Sequence, residues 1–233
     1  MLDNVTAVIK AEFEGEVYTS EPLVYSIATY CYTQINALQS YPQMAKLMSL
    51  LVDMLNYGAA AQQFNSYNTS NLANASLTEK QLAFGNQDVL SYEDLKDMKY
   101  ATVENSVATF DTVALAIKDS IAVSFKFTMA AGQSIDGLVV RFEAAGKSWD
   151  IPASEFTYES ANNRYVATIR EINPSQMKER ILATLYKDGV IVSDTASYSI
   201  ESYGASTAMS IPTVKTLVEA MVRYGRSAKA YNG

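Results

Sequence analysis

From Leu47 to Phe64 the sequence LMSLLVDMLNYGAAAQQF puts Leu47, Leu50, Leu51, Met54, Gly58, Ala61 and Phe64 on one stripe at helical spacing. The pattern returns without gaps at Val214 to Tyr231, VKTLVEAMVRYGRSAKAY. Leu50 matches Leu217, Met54 matches Met221, Tyr57-Gly58 matches Tyr224-Gly225, and Ala61 matches Ala228. Ahead of each copy lies a second matched stretch, YSIATY from Tyr25 to Tyr30 and YSIESY from Tyr198 to Tyr203. Ser26 and Ser199 stand where N-caps belong, and the flanking tyrosines have the spacing of a hydrophobic staple, so those tyrosines are read as packing at the helix start. Pro42 suits the first turn of the following helix. Each copy therefore predicts a helical hairpin. Gly58 and Gly225 cost about 1 kcal/mol of helix propensity each, which close approach of the preceding helix would offset.

The copies differ on their other face. Met48, Val52, Leu55 and Ala59 are apolar, whereas their counterparts are Lys215, Glu219, Val222 and Arg226. The first long helix is apolar almost all round and is expected to be central, covered on two sides. Left uncovered within the chain, Met48, Val52 and Leu55 would instead make a homodimer face.

Residues 5–20 alternate loosely (Val5, Ala7, Ile9, Ala11, Phe13, then Val17) around Glu14-Gly15-Glu16, which predicts two strands and a turn. Two strands alone are marginal, so a sheet supplied elsewhere is expected to take them up, or they stand exposed. Residues 65–102 are polar and turn-rich, with short helical turns expected at Leu77 to Phe84 and Tyr92 to Met98. From 107 to 194 the period becomes two: Val113 to Ile117 and Ile121 to Phe127 alternate cleanly and are joined at Lys118-Asp119-Ser120. Further short runs follow, separated by Gly132, Asp136-Gly137, Gly146, Asn162-Asn163, Asn173-Pro174 and Asp188-Gly189. Seven or eight such strands read as a β-sandwich of immunoglobulin-like size, without the Cys-Trp-Cys hallmark. Trp149, the sole tryptophan, is read as core packing, with a sugar-stacking platform as the alternative.

The predicted fold class is α+β: an immunoglobulin-like β-sandwich plus two duplicated helical hairpins. Residues 1–80 form a partial first unit of two strands and a hairpin, 81–106 a connector, 107–197 the sandwich, and 198–233 a second hairpin packing with the first. The first unit lacks the strands that precede the hairpin in the second.

Composition narrows the chemistry. The net charge is −7 over 233 residues, which disfavours nucleic acid and anionic membrane surfaces. There is no histidine and one cysteine, Cys31. That removes histidine-based acid–base and triad catalysis, intrachain disulfides and nearly all transition-metal sites. Cys31 lies among apolar helical residues and is read as a buried thiol. No catalytic, cofactor-binding or metal-ligating residue is nominated, no cofactor is called for, and ligand-contacting residues stay unassigned. No run approaches the roughly 18 apolar residues of a membrane span. The first residues have no basic region followed by an apolar one, which reads as either a cytosolic chain or a mature segment.

VYTSEPLVYSIATY, then LLVDMLNYGAAAQQFNSYNTSNLANASLT, resembles a module of large secreted surface proteins of gut Gram-positive anaerobes. The closing YSIESYG and LVEAMVRYGRSAKAY are similar to its terminal copy. The string from Tyr57 to Asn74 is the most specific part. The resemblance implies a location outside the cell and an adhesive or structural role, and it carries over no catalytic residue. The expectation is a non-catalytic extracellular binding or adhesion module for a glycan or a protein on the cell surface, without membrane insertion. The alternatives are a structural spacer and, behind it, a carboxylate-based glycan hydrolase.

Overall fold

A computed structural model describes residues 5–92, 99–100, 103–104, 106–117, 121–170 and 172–233. The chain is an α+β protein of antiparallel sheets and a few helices. It divides into two compact units, one of Met1–Val89 with Ile211–Gly233 and one of Leu90–Ser210. The Lys118-Asp119-Ser120 turn lies outside the described residues, as does nearly all of the helical turn expected from Tyr92 to Met98.

The first unit opens with one bent hairpin. Strands β1 (Val5–Ala7) and β4 (Leu23–Tyr25) pair antiparallel, as do β2 (Lys10–Phe13) and β3 (Glu16–Thr19). Glu14 (φ 50°) and Gly15 (φ 82°) form the two-residue tip, a turn whose twist matches that of the strands. Helix α1 (Ile27–Leu38) follows; Ser26 is its N-cap and accepts a bond from the Thr29 amide. Tyr25 and Tyr30 are 52% and 42% exposed, so the expected staple does not bury them.

Helix α2 (Ala45–Phe64) is the centre of this unit. Its Met48, Leu51, Val52, Leu55 and Ala59 are buried with Cys31 and Ile35 of α1 and with Ala73 and Leu77 of the following segment. That segment contains a short helix α3 (Glu79–Leu82), closed by a capping box between Thr78 and Gln81. The other side of α2 meets α4 (Pro212–Asn232), whose Leu217, Val218, Met221, Val222, Gly225, Ser227 and Ala228 are buried. Both sides of α2 are therefore covered. Met48, Val52 and Leu55 are at most 1% exposed within the single chain, so they are not available as a dimer face. The helix lying most extensively along α2 is α4, whereas α1 was expected to approach the glycines most closely.

The second helical hairpin does not form as expected. Residues Ile200–Ala205 and Thr207–Ser210 fold into two 3-10 turns. Twelve residues separate Ser199 from Pro212, against fifteen between Ser26 and Pro42, and Gly204 falls inside the run. A Cβ at Gly204 would sit 2.3 Å from the Tyr92 ring. This glycine serves close packing and disfavours a regular helix. Ser199 still caps, accepting from the Ser202 amide.

The second unit holds two antiparallel sheets. One has the order β10 (Thr157–Glu159), β11 (Arg164–Ile169), β7 (Ile121–Met129), β6 (Ala108–Ile117). The other has the order β5 (Lys99–Tyr100), β14 (Thr195–Tyr198), β12 (Ile181–Lys187), β8 (Leu138–Ala144), β9 (Lys147–Pro152), with β13 (Val190–Ile191) also paired to β12. Their inward side chains meet: Phe125 of β7 is 5.3 Å from Phe142 of β8 and 6.5 Å from Tyr198 of β14, ring centre to ring centre. Phe110 and Phe127 make edge contacts in the same core, geometries that aromatic quadrupoles favour. Trp149 is not core. It lies half-buried on the edge strand β9, opposite Phe142 in register, where only one neighbouring strand can cover it.

Candidate functional site

A carboxylate buried between α2 and α4 is the first unit's least ordinary polar group. Asp53 is 1% exposed. One of its oxygens, Oδ2, accepts a short bond from the Ser227 hydroxyl of α4 and one at 2.9 Å from the Asn86 amide. Ser227 also shares a hydrogen bond of 2.8 Å with Ser49. The other oxygen, Oδ1, meets no hydrogen-bond partner at bonding geometry among the described residues, although the Asn56 side chain lies near enough to favour the charged carboxylate. Burial pushes the Asp53 carboxyl up, opposed by the bonds from Ser227 and Asn86 and by the nearby Arg223. Arg223 donates to the backbone carbonyls of Asn86 and Asp88, so the two helices clamp the 86–88 loop from both sides. Gly85 lets that loop close over the carboxylate, since a Cβ there would come 2.8 Å from Oδ1.

The helix pair runs antiparallel. Tyr57 stacks on Tyr224 at 5.8 Å and 10°, while Asp53, one turn before Tyr57, meets Ser227, nearly one turn after Tyr224. Tyr57 and Tyr224 occupy matched places in the two sequence stretches. Burial raises both phenols, Tyr57 to about 12. The matched partners of Asp53 and Ser227 are Ala220 and Ala60. The contact is thus polar on one side of the tyrosine stack and has small apolar residues on the other. Such a cluster fixes register and partner, because breaking it leaves a buried charge or donor unpaired. With 1% exposure it offers no surface to a substrate. The sequence reading nominates no carboxylate and so misses Asp53; its signal is one carboxylate within a helix apolar almost all round.

The surface offers three other features. An open groove of about 600 Å³ in the second unit is lined by Glu143, Ala144, Ala145, Gly146, Lys147, Ser148, Arg180 and Leu182. It has mixed charge and no aromatic wall, and Trp149 does not line it. The second feature is Tyr186, whose ring carries the Arg141 guanidinium at 4.7 Å. Arg141 is also held by Asp150 through bonds of 2.7 and 2.8 Å, which hold Asp150 below the usual carboxylate range. That face of Tyr186 is therefore occupied. The third feature is the β1–β4 hairpin, where Val5, Ile9, Phe13, Val17, Leu23 and Tyr25 are 52–73% exposed. Among the exposed tyrosines, Tyr158 is tilted 45° from Tyr165. The coplanar pair, Tyr57 and Tyr224, lies between helices.

Among the described residues no three His, Cys, Asp or Glu side chains come together to hold a metal ion. Nor, among them, is any helix long and apolar enough to cross a membrane. No protein-family model, curated protein or solved structure matches the chain.

Proposed function

We propose that the chain is a non-catalytic binding or adhesion module of an extracellular bacterial surface protein, and that its ligand is a protein rather than a glycan. The observation that carries this reading is the exposed apolar hairpin, which presents β-branched and aromatic side chains beside unpaired strand edges. Several large apolar side chains exposed on one hairpin support an interaction site there. A glycan platform would need a coplanar exposed aromatic pair or a tryptophan-lined groove. The exposed Tyr158 is tilted against the half-buried Tyr165, and the groove at Glu143 to Ser148 has no ring.

The second unit is read here as an immunoglobulin-like sandwich. Naming β6, β7, β8, β10, β11, β12 and β14 as A to G gives the orders D-E-B-A and G-F-C, with β9 added beside C. These orders support the immunoglobulin-like reading, whose sheets are A-B-E-D and C-F-G, with β5 as an additional strand beyond G. Val123, Phe125, Ala183 and Leu185 fill the space between B and F, where antibody domains have a disulfide.

Binding of the purified chain to a glycan array and to a displayed set of β-sandwich domains, intact and lacking their last hairpin, each repeated with the double variant Ile9→Asp and Leu23→Asp, tests the reading. Protein binding that the variant loses supports it. Glycan binding that the variant retains moves the ligand to a sugar. Binding to neither returns the spacer reading, and cleavage of arrayed glycans returns the hydrolase.

A further inference from the structure

We propose that the β1–β4 hairpin is a docking element that completes a two-sheet unit built like residues 106–198 of this chain, filling the place that β12 to β14 fill there. The inference rests on the protein-binding reading and names the partner's class.

The two hairpins correspond feature by feature. Each turns on two residues of positive φ: Glu14 at 50° and Gly15 at 82°, Asp188 at 52° and Gly189 at 80°. Each ends in Tyr-Ser, and each serine caps the turn that follows. The register agrees, with Val5 opposite Tyr25 and Ala7 opposite Leu23, as Ile181 is opposite Tyr198 and Ala183 opposite Ala196.

Their surroundings do not correspond. Ile181, Ala183, Ala196 and Tyr198 are 2%, 0%, 8% and 4% exposed, facing the aromatic core. Val5, Leu23 and Tyr25 are 68%, 68% and 52% exposed, and Ala7 is exposed as well. Strand β12 is paired along both edges, by β8 and by β14 with β13. Among the described residues, strands β1 and β2 pair along one edge only. An isolated two-stranded ribbon is marginal, and its open edges are templates for strand addition.

The covered hairpin shows what covers the uncovered one. The partner must offer a free strand edge equivalent to β8 and an aromatic core like that of Phe125 and Phe142, as a six-strand set like β6 to β11 does when its own last hairpin is missing. A second copy of this chain is a poor supplier, because its β8 is already flanked by β9 and β12. The face that docks is that of Val5, Ala7, Leu23 and Tyr25.

The test is a tandem protein in which residues 106–180 stand directly before Val5 of the chain. Amide hydrogen exchange is read by mass spectrometry over residues 5–25. We expect exchange at least about 100-fold slower than in the chain alone, since pairing both edges removes the hairpin's fraying. Ala7→Asp on the docking face should restore fast exchange in the tandem, and Thr6→Asp on the opposite face should not. Exchange as fast in the tandem as in the chain alone overturns the proposal, including the case where the added segment itself stays unprotected, because the proposal holds that this hairpin is what the segment lacks. Protection already present in the chain alone, with a dimer in sedimentation, overturns it in favour of a second copy. Glycan binding on the array would defeat the protein-binding reading and would leave these exchange rates as they are.

Discussion

Replacing Asp53 by asparagine removes a charge from a place where water cannot reach it and keeps the shape. The amide oxygen takes over the bonds from Ser227 and the Asn86 amide, and the amide nitrogen takes the place of Oδ1, where its buried N–H groups offset part of the gain. Asp53→Asn should therefore be within about 1 kcal/mol of the parent at neutral pH, or more stable, because hydrogen bonds of about 1 kcal/mol each are kept and a desolvated charge is gone. Asp53→Ala differs. Ser227 can turn to Ser49, but the Asn86 amide is left without its acceptor, which with the void left behind should cost about 2–4 kcal/mol. The pH dependence separates charge from shape. A carboxyl held above its ordinary 3.8 in the folded chain binds its proton more tightly there than when unfolded. Its contribution is thus most favourable at low pH and is lost as pH rises above about 4 through the folded value. Asp150 and Glu159, held below the usual range by Arg141 and Lys126, act in the opposite sense in both proteins and cancel in the difference. Urea unfolding of parent and Asp53→Asn across this range should show the variant gaining on the parent as pH rises. A variant that instead loses ground with rising pH, or costs more than about 2 kcal/mol at neutral pH, would mean that the bonds to the carboxylate outweigh its desolvation.

Leu55→Ala, at a fully buried position between two covered faces, should lower the stability measured by urea unfolding by about 2–5 kcal/mol. Gly85→Ala should cost about 1–3 kcal/mol by crowding, because its Cβ would meet Asp53 Oδ1 at 2.8 Å; a neutral result would show that the loop yields. Cys31 is fully buried with its thiol pushed up to about 11, so a thiol reagent at neutral pH should label it only at the rate of unfolding. Immediate labelling of the native chain would contradict its burial.

Much of the architecture was legible because the periodicities are clean. The all-round apolar character of Leu47–Phe64 anticipated a helix covered on both sides, and the alternation through Ile121–Phe127 anticipated paired strands. Length and local sequence hid the rest. The matched YSIESY stretch suggested a second helix, but fewer residues and Gly204 turned it into 3-10 turns held against Tyr92. Residue type points Trp149 towards the core, and its half-burial at the margin depends on the edge position of β9, which pattern alone does not give. Asp53 was hidden for a similar reason. Its partners, Asn86 and Ser227, lie 33 and 174 residues away in sequence, so nothing local marks it as buried.

The two hairpins share their turn geometry and end register, yet one is buried and the other exposed. Amide exchange of the dilute monomer over residues 5–25 and 181–198 compares them directly. The account predicts near-unprotected exchange in the first and slowing by about 1,000-fold or more in the second, the contrast between a free ribbon and a strand inside a core. Equal, strong protection of both in the monomer would show that the first hairpin needs no partner, and would contradict it.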